Sequence, residues 1–301
     1  MCKIRPFLCL LFILCLNCAA VAKPEASQSV LPLKFDTGNP APYGLPSTVI
    51  NIAGKEYPII FDTGAKKYGL ALTKKALEGI QVRFTGKKIC STSVRGRDCL
   101  DEFIIPEVQL GEFTVKNVKG VVLEKSKLWG GNGQGFKETE ASQNGLMGFP
   151  LLSEFNLLLD YSHAKLVIVK PHSKPAGYSV DQWIAIPFQG HLLTKLNFDN
   201  KPVLLSWDTG SLPSVIKESY ASDIQKTPCP TSAPYAKKDC SSVQSTSFST
   251  TEGRQLPKIW FMTINTIPPI APFDGLVGSN FYANNLVYFD FDQKLIFVKP
   301  R

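Results

Sequence analysis

The sequence predicts an all-β chain folded as two like halves about a shared cleft. Three observations carry that expectation. The tripeptide Asp-Thr-Gly closes two apolar runs, PIIFDTGA ending at Ala65 and LLSWDTGS ending at Ser211. A Gly-Leu-x-Gly follows each of them, at 145–148 and 275–278. Between these landmarks lie short Val/Ile/Phe-rich runs broken by Gly, Pro, Asn and Asp, such as 101–124 and 258–270, which is the pattern of strands and turns with few helices.

The first residues read as a secretory leader: Lys3 and Arg5, an apolar stretch from Phe7 to Leu16, then Ala20-Val21-Ala22 as a cleavage site. Residues 1–22 would be removed. The stretch is too short to span a bilayer, which takes about 20 apolar residues, and no later segment is long and uncharged enough. A lipid anchor through Cys18 is the weaker alternative, because Cys15-Leu16-Asn17 lacks the usual residues before it. Either way the expected location is extracytoplasmic, secreted or periplasmic. Residues 23–42 then form a flexible lead-in. It contains a third Asp-Thr-Gly, Asp36 to Gly38, with no hairpin before it and Asn39-Pro40-Ala41-Pro42 after it, which reads as coincidence.

The next landmarks repeat. TVINIAGKEYPIIFDTGA (48–65) parallels TKLNFDNKPVLLSWDTGS (194–211), with turn residues Gly54 and Asn200 each eight positions before the Asp. The segment from Gly145 to Pro171 parallels that from Gly275 to Pro300, and in both an Asp follows the first glycine by 15 positions, at Asp160 and Asp290. Duplication explains four landmarks in one order. One lobe is expected over 43–171, a linker over 172–179 and a second lobe over 180–301. The glycine-rich 129–135 reads as a loop, since no strand and Lys-Ser/Thr helix flank it as a phosphate cradle requires.

Charge and cysteines narrow the function classes. The formal net charge is +8, or +6 without Lys3 and Arg5, and it is spread through Lys-rich turns with no basic helix or aromatic-interleaved strip. Nucleic acid is therefore not an expected partner. Of eight cysteines, four lie in the leader, leaving Cys90, Cys99, Cys229 and Cys240. Spacings of 9 and 11 residues, one pair per half, predict two local disulfides. No metal is expected, because His163, His172 and His191 are dispersed and read as surface or turn residues. Asp160 and Asp290 read as turn residues.

Two Asp-Thr-Gly loops facing each other would set Asp62 beside Asp208. Like charges that close cannot both ionise cheaply, so the pair shares a proton and can hold a water between an acceptor and a donor. Thr63 and Thr209 can hydrogen-bond across to the facing loop, and Gly64 and Gly210 permit close backbone approach. Ser211 can donate to Asp208 whereas Ala65 has no hydroxyl, so Asp208 is expected to ionise first unless the cation of Lys66 reverses the order.

These loops, with GLMG and GLVGSNFY followed by LVYFDFDQKLIFVKP, resemble the pepsin-like, two-lobed aspartic peptidases over most of 43–301. Each half alone also resembles the retroviral-type protease, which builds the same site as a homodimer. The resemblance implies a pepsin-like acid protease fold, a monomer, no cofactor, Asp62 and Asp208 as the catalytic pair, and support from Thr63, Gly64, Ala65, Thr209, Gly210 and Ser211. It also implies a peptide or protein substrate with apolar side chains beside the cut. Ala65 stands where pepsin-like loops usually carry Ser or Thr, and no flap tyrosine is evident. The covering hairpin is expected at 89–100 with Gly96 near its tip, and Tyr68 is expected to pack near the active-site loop. The alternatives are a catalytically silent pepsin-fold protein that binds peptides or proteins and, with only the leader and disulfides in its favour, a structural envelope protein.

Overall fold

The computed structural model describes residues 26–36, 44–93, 96–124, 139–229, 240–265 and 272–301. The leader with its cleavage site, the Thr37-Gly38 of the third Asp-Thr-Gly, and the glycine-rich 129–135 lie outside the described residues. Three sheets carry nearly the whole fold, one in each lobe and one between them. Among the described residues no helix is long and apolar enough to cross a membrane.

The sheet between the lobes is antiparallel throughout and six-stranded. Its order is Gln28–Pro32, Lys165–Val169, Asn156–Asp160, Asn285–Asp290, Leu295–Pro300 and Ile184–Pro187. The duplicated segments meet at its centre, where Leu157, Leu158 and Leu159 pair with Phe289, Tyr288 and Val287. Successive side chains point to opposite faces of a strand, and these strands are apolar at nearly every position, so both faces are buried. Leu157, Leu159, Ile168, Val287 and Phe289 enter a core that continues into both lobes. Leu158, Val167, Tyr288 and Phe297 form a second cluster with Val180 and Trp183. Complete burial stabilises each such side chain by roughly 1.5–3 kcal/mol.

Residues 28–36 depart from the expected flexible lead-in. Gln28–Pro32 runs against Lys165–Val169, and Lys34–Asp36 pairs with Leu45–Ile52. The reason is the alternation in SVLPL, which turns Leu31 and Leu33 into the core and leaves Val30 and Pro32 outward.

Among the described residues each lobe sheet has eight strands, and the two share one plan. In lobe one the hairpin of Leu45–Ile52 and Lys55–Asp62 delivers Asp62; in lobe two Leu193–Phe198 and Lys201–Trp207 deliver Asp208. Both turns are tight, with positive φ at Ala53 and Gly54 (52° and 81°) and at Asp199 and Asn200 (46° and 64°), the backbone that closes a two-residue hairpin with the twist of its strands. Each Gly-Leu-x-Gly then threads parallel to the Asp-bearing strand: Ile60 lies opposite Leu146 and Leu205 opposite Gly275. Cys90 is bonded to Cys99 and Cys229 to Cys240, the local pairing that the spacing predicts. The first joins directly opposed residues of the long hairpin Arg83–Ser93 and Gly96–Leu110. Beside the second, the Cys229 N–H donates to the Cys240 carbonyl at 3.1 Å.

Candidate active site

The two Asp-Thr-Gly loops face each other at the junction of the lobes, and their threonines lock them. The Thr63 hydroxyl donates to the Trp207 carbonyl at 3.0 Å and accepts the Thr209 N–H at 3.0 Å. Thr209 answers in kind: its hydroxyl donates to the Phe61 carbonyl at 3.0 Å and accepts the Thr63 N–H at 3.0 Å. Both threonines are fully buried, so these four bonds have no water to compete with them.

The loops approach so closely that only glycine fits at their third position. A Cβ on Gly210 would lie 2.6 Å from the Asp62 carboxyl carbon, and one on Gly64 would come closer still to the Asp208 carboxylate. Each glycine instead gives its N–H to its own aspartate, Gly64 to Asp62 and Gly210 to Asp208, both at 2.8 Å. The fourth loop position is pinned from beneath. The Ala65 carbonyl accepts the Phe149 N–H at 2.8 Å, and the Ser211 carbonyl accepts the Ser279 N–H at 2.9 Å. Phe149 and Ser279 each directly follow a Gly-Leu-x-Gly, which explains why that motif trails both loops.

Asp62 and Asp208 are thus neighbours, each partly accessible. Burial and then the charge of Asp208 hold the Asp62 carboxyl well above the usual carboxylate range. Burial also raises Asp208, but a hydrogen bond from the Asp62 carboxyl, the Gly210 N–H, the charge of Lys66 and the Ser211 N–H all pull it back. The two carboxyls therefore titrate as one coupled pair, with Asp62 held well above the usual range and Asp208 raised against several groups that lower it.

The sequence expects Asp208 to ionise first with help from the Ser211 hydroxyl, and that expected cause does not hold. Ser211 turns its hydroxyl away and donates to the Pro213 carbonyl at 2.8 Å, so only its backbone serves Asp208. The charge of Lys66, expected as the group that could reverse the order, instead lowers the Asp208 pKa. Its ammonium crosses to lobe two, donates to Ser206 Oγ at 3.0 Å and lies 5.0 Å from the centre of the Phe273 ring. Its charge acts on Asp208 more than on Asp62, while burial lowers its own pKa.

Other expected residues fall as follows. Tyr68 packs half-buried beside the loop, in the cluster with Leu45 and Leu212, and burial followed by the charge of Asp62 pushes its phenol up to about 12. The base of the disulfide-bridged hairpin lies beside the same loop, since Ile89 and Leu100 join that cluster and Lys67 donates to the Cys90 carbonyl at 2.6 Å. Residues 94–95 and the side chains of 91–98 lie outside the described residues. Asp160 and Asp290 do serve turns, accepting the N–H of His163 at 3.2 Å and of Gln293 at 2.8 Å. Asp160 also binds the Arg301 guanidinium.

The sequence reading missed a support under the second loop. Ser214 donates its N–H and its hydroxyl to Asn280 Oδ1, both at 2.7 Å, and accepts the Gly278 N–H at 2.9 Å. Asn280 lies two residues beyond the second Gly-Leu-x-Gly, and Ser214 three beyond Ser211. The first half has no Asn at the matching place, so the comparison of halves gave no signal.

Comparison with known proteins gives one family match. Residues 48–151, which hold the first loop and the first Gly-Leu-x-Gly, match the sequence profile of an aspartyl protease family. No curated protein matches the chain significantly. The nearly all-β architecture in two lobes, each with a barrel-like sheet, is consistent with the two-lobed aspartic protease fold.

Proposed function

We propose that the chain is an aspartic endopeptidase in which Asp208 is the base and Asp62 the acid. The observation that carries this reading is the reciprocal threonine lock, which holds two carboxyls that titrate as one coupled pair at the lobe junction. A water held between them gives a proton to Asp208 as its oxygen attacks the scissile carbonyl carbon. Asp62 passes its proton to the carbonyl oxygen, so the tetrahedral intermediate is a neutral diol. The second half returns the proton on Asp208 to the leaving amine and restores that on Asp62 from a diol hydroxyl, which breaks the C–N bond. The family match over 48–151 supports peptide bonds as the substrate.

Lobes bounded near residues 43–171 and 180–301 would each supply one loop, with a monomer as the working unit. An oxidising, extracytoplasmic compartment is supported by the two disulfides.

The test is digestion of a denatured protein mixture across a pH series by the parent and by Asp62→Asn and Asp208→Asn. Each variant should lose about 10²-fold or more of the rate, as expected when a general acid or base is removed, while keeping the parent circular dichroism spectrum. A folded variant that cuts at near the parent rate would remove its aspartate from the mechanism.

A further inference from the structure

We infer that Lys66 is a specificity-determining residue that receives a carboxylate of the peptide substrate beside the scissile bond. The inference rests on the proposed peptidase reading and adds a substrate class to it. An ammonium has three N–H donors, and Lys66 spends one on Ser206 Oγ while resting against the Phe273 ring. Among the described residues no carboxylate lies within ion-pairing distance of it. It is nevertheless half-buried, a setting in which a cation without a partner is costly.

Nothing in lobe one requires this reach across to lobe two, since the first loop is already fixed by Thr63, Gly64 and Ala65. The charged groups facing Lys66 are Asp62 and Asp208 from the loops and His191 from the turn before Leu193–Phe198. In the proposed reaction the dyad's one negative charge passes from Asp208 to Asp62, whose charge acts on Lys66 less than that of Asp208 does. A second anion beside Lys66 would then keep the cation satisfied through the reaction. Apolar pockets expected from the family resemblance can flank this position without filling it.

The anion can come from an Asp or Glu side chain or from a terminal carboxylate close to the cut. The test uses peptides that differ only in Glu, Gln or Leu at the residues on either side of the cleaved bond, and a second pair that ends shortly after it in a free carboxylate or an amide. The parent should cleave the Glu peptide about tenfold better than the Gln peptide in kcat/KM at pH 6, the size of effect a charge-assisted hydrogen bond provides. At pH 3 the ratio should fall towards one, because the substrate glutamate, with an ordinary pKa of about 4.3, becomes neutral. Lys66→Met should bring the ratio to about one at both pH values, and Lys66→Arg should retain it. A preference for the free carboxylate over the amide, lost in the same way, would assign the anion to the chain end.

A parent indifferent to both carboxylates, or a preference that survives Lys66→Met, would overturn the inference and leave the peptidase reading intact. The same Glu and Gln peptides with a hydroxyethylene group replacing the scissile amide would be titrated calorimetrically. A Glu preference in binding that Lys66→Met abolishes, in a chain that cleaves none of the peptides, would retain Lys66 as a carboxylate site and remove the peptidase reading alone. Equal affinities would overturn the Lys66 inference.

Discussion

Replacing Thr63 by Val removes one hydroxyl from a fully buried site without changing its size, which isolates the lock between the loops. The Thr209 N–H loses its acceptor and the Trp207 carbonyl loses its donor, both bonds being 3.0 Å long. A buried polar group left without a partner costs roughly 1–3 kcal/mol, so two should cost about 2–6 kcal/mol. A domain is typically stable by only about 5–15 kcal/mol, so the loss should be plain in a urea titration as a lower midpoint with an unchanged slope. Thr209→Val should cost a similar amount, because it orphans the Thr63 N–H and the Phe61 carbonyl. Cleavage should fall as well, since a displacement of about 1 Å between reacting groups can cost about 10²-fold. A loss below about 1 kcal/mol in either variant, or a loss in one alone, would refute the claim that the reciprocal bonds hold the loops together.

Three further outcomes follow from the site and the disulfides. Because folding raises the Asp62 pKa above its ordinary value of 3.8, its protonated form stabilises the fold fully below that value, and the contribution is lost as pH rises through the folded pKa. Asp62→Asn should therefore gain stability relative to the parent from pH 3.5 to pH 7 in urea titrations, and a difference independent of pH would contradict the direction of that shift. Replacing Cys90 and Cys99 together by Ala opens a loop of sequence separation 9 and should cost roughly 2–3 kcal/mol by chain entropy. Peptide mapping without reductant should recover the 90–99 and 229–240 linkages, and any linkage between lobes would contradict the local bridges.

The site loops were legible because each rests on a short local pattern that occurs twice. An apolar strand, a turn eight residues back and a Gly-Leu-x-Gly downstream reveal Asp62 and Asp208 without knowledge of anything distant. What was not legible depends on partners far along the chain. SVLPL looks like lead-in because its partner, Lys165–Val169, lies more than a hundred residues away. Ser211 was assigned to its neighbouring carboxylate on composition, but the carbonyl of Pro213, two residues on, takes the hydroxyl first. Lys66 was visible as a charge beside the loop, yet its orientation is set by Ser206 and Phe273 from the other lobe.

The sheet between the lobes also fixes a chronology. Its central pairing joins Leu157–Leu159 to Val287–Phe289, so the strand Asn156–Asp160 must wait for the ribosome to add roughly 130 more residues, about 7–26 s at typical elongation rates. Throughout that interval an apolar strand edge lacks its permanent neighbour and is open to pairing with other chains. Neither aspartate has its counterpart until the second loop has docked. On the proposed reading the paired-aspartate site within one chain is therefore assembled late, and chaperone demand should peak while the first lobe waits for Asn285–Asp290 and Leu295–Pro300.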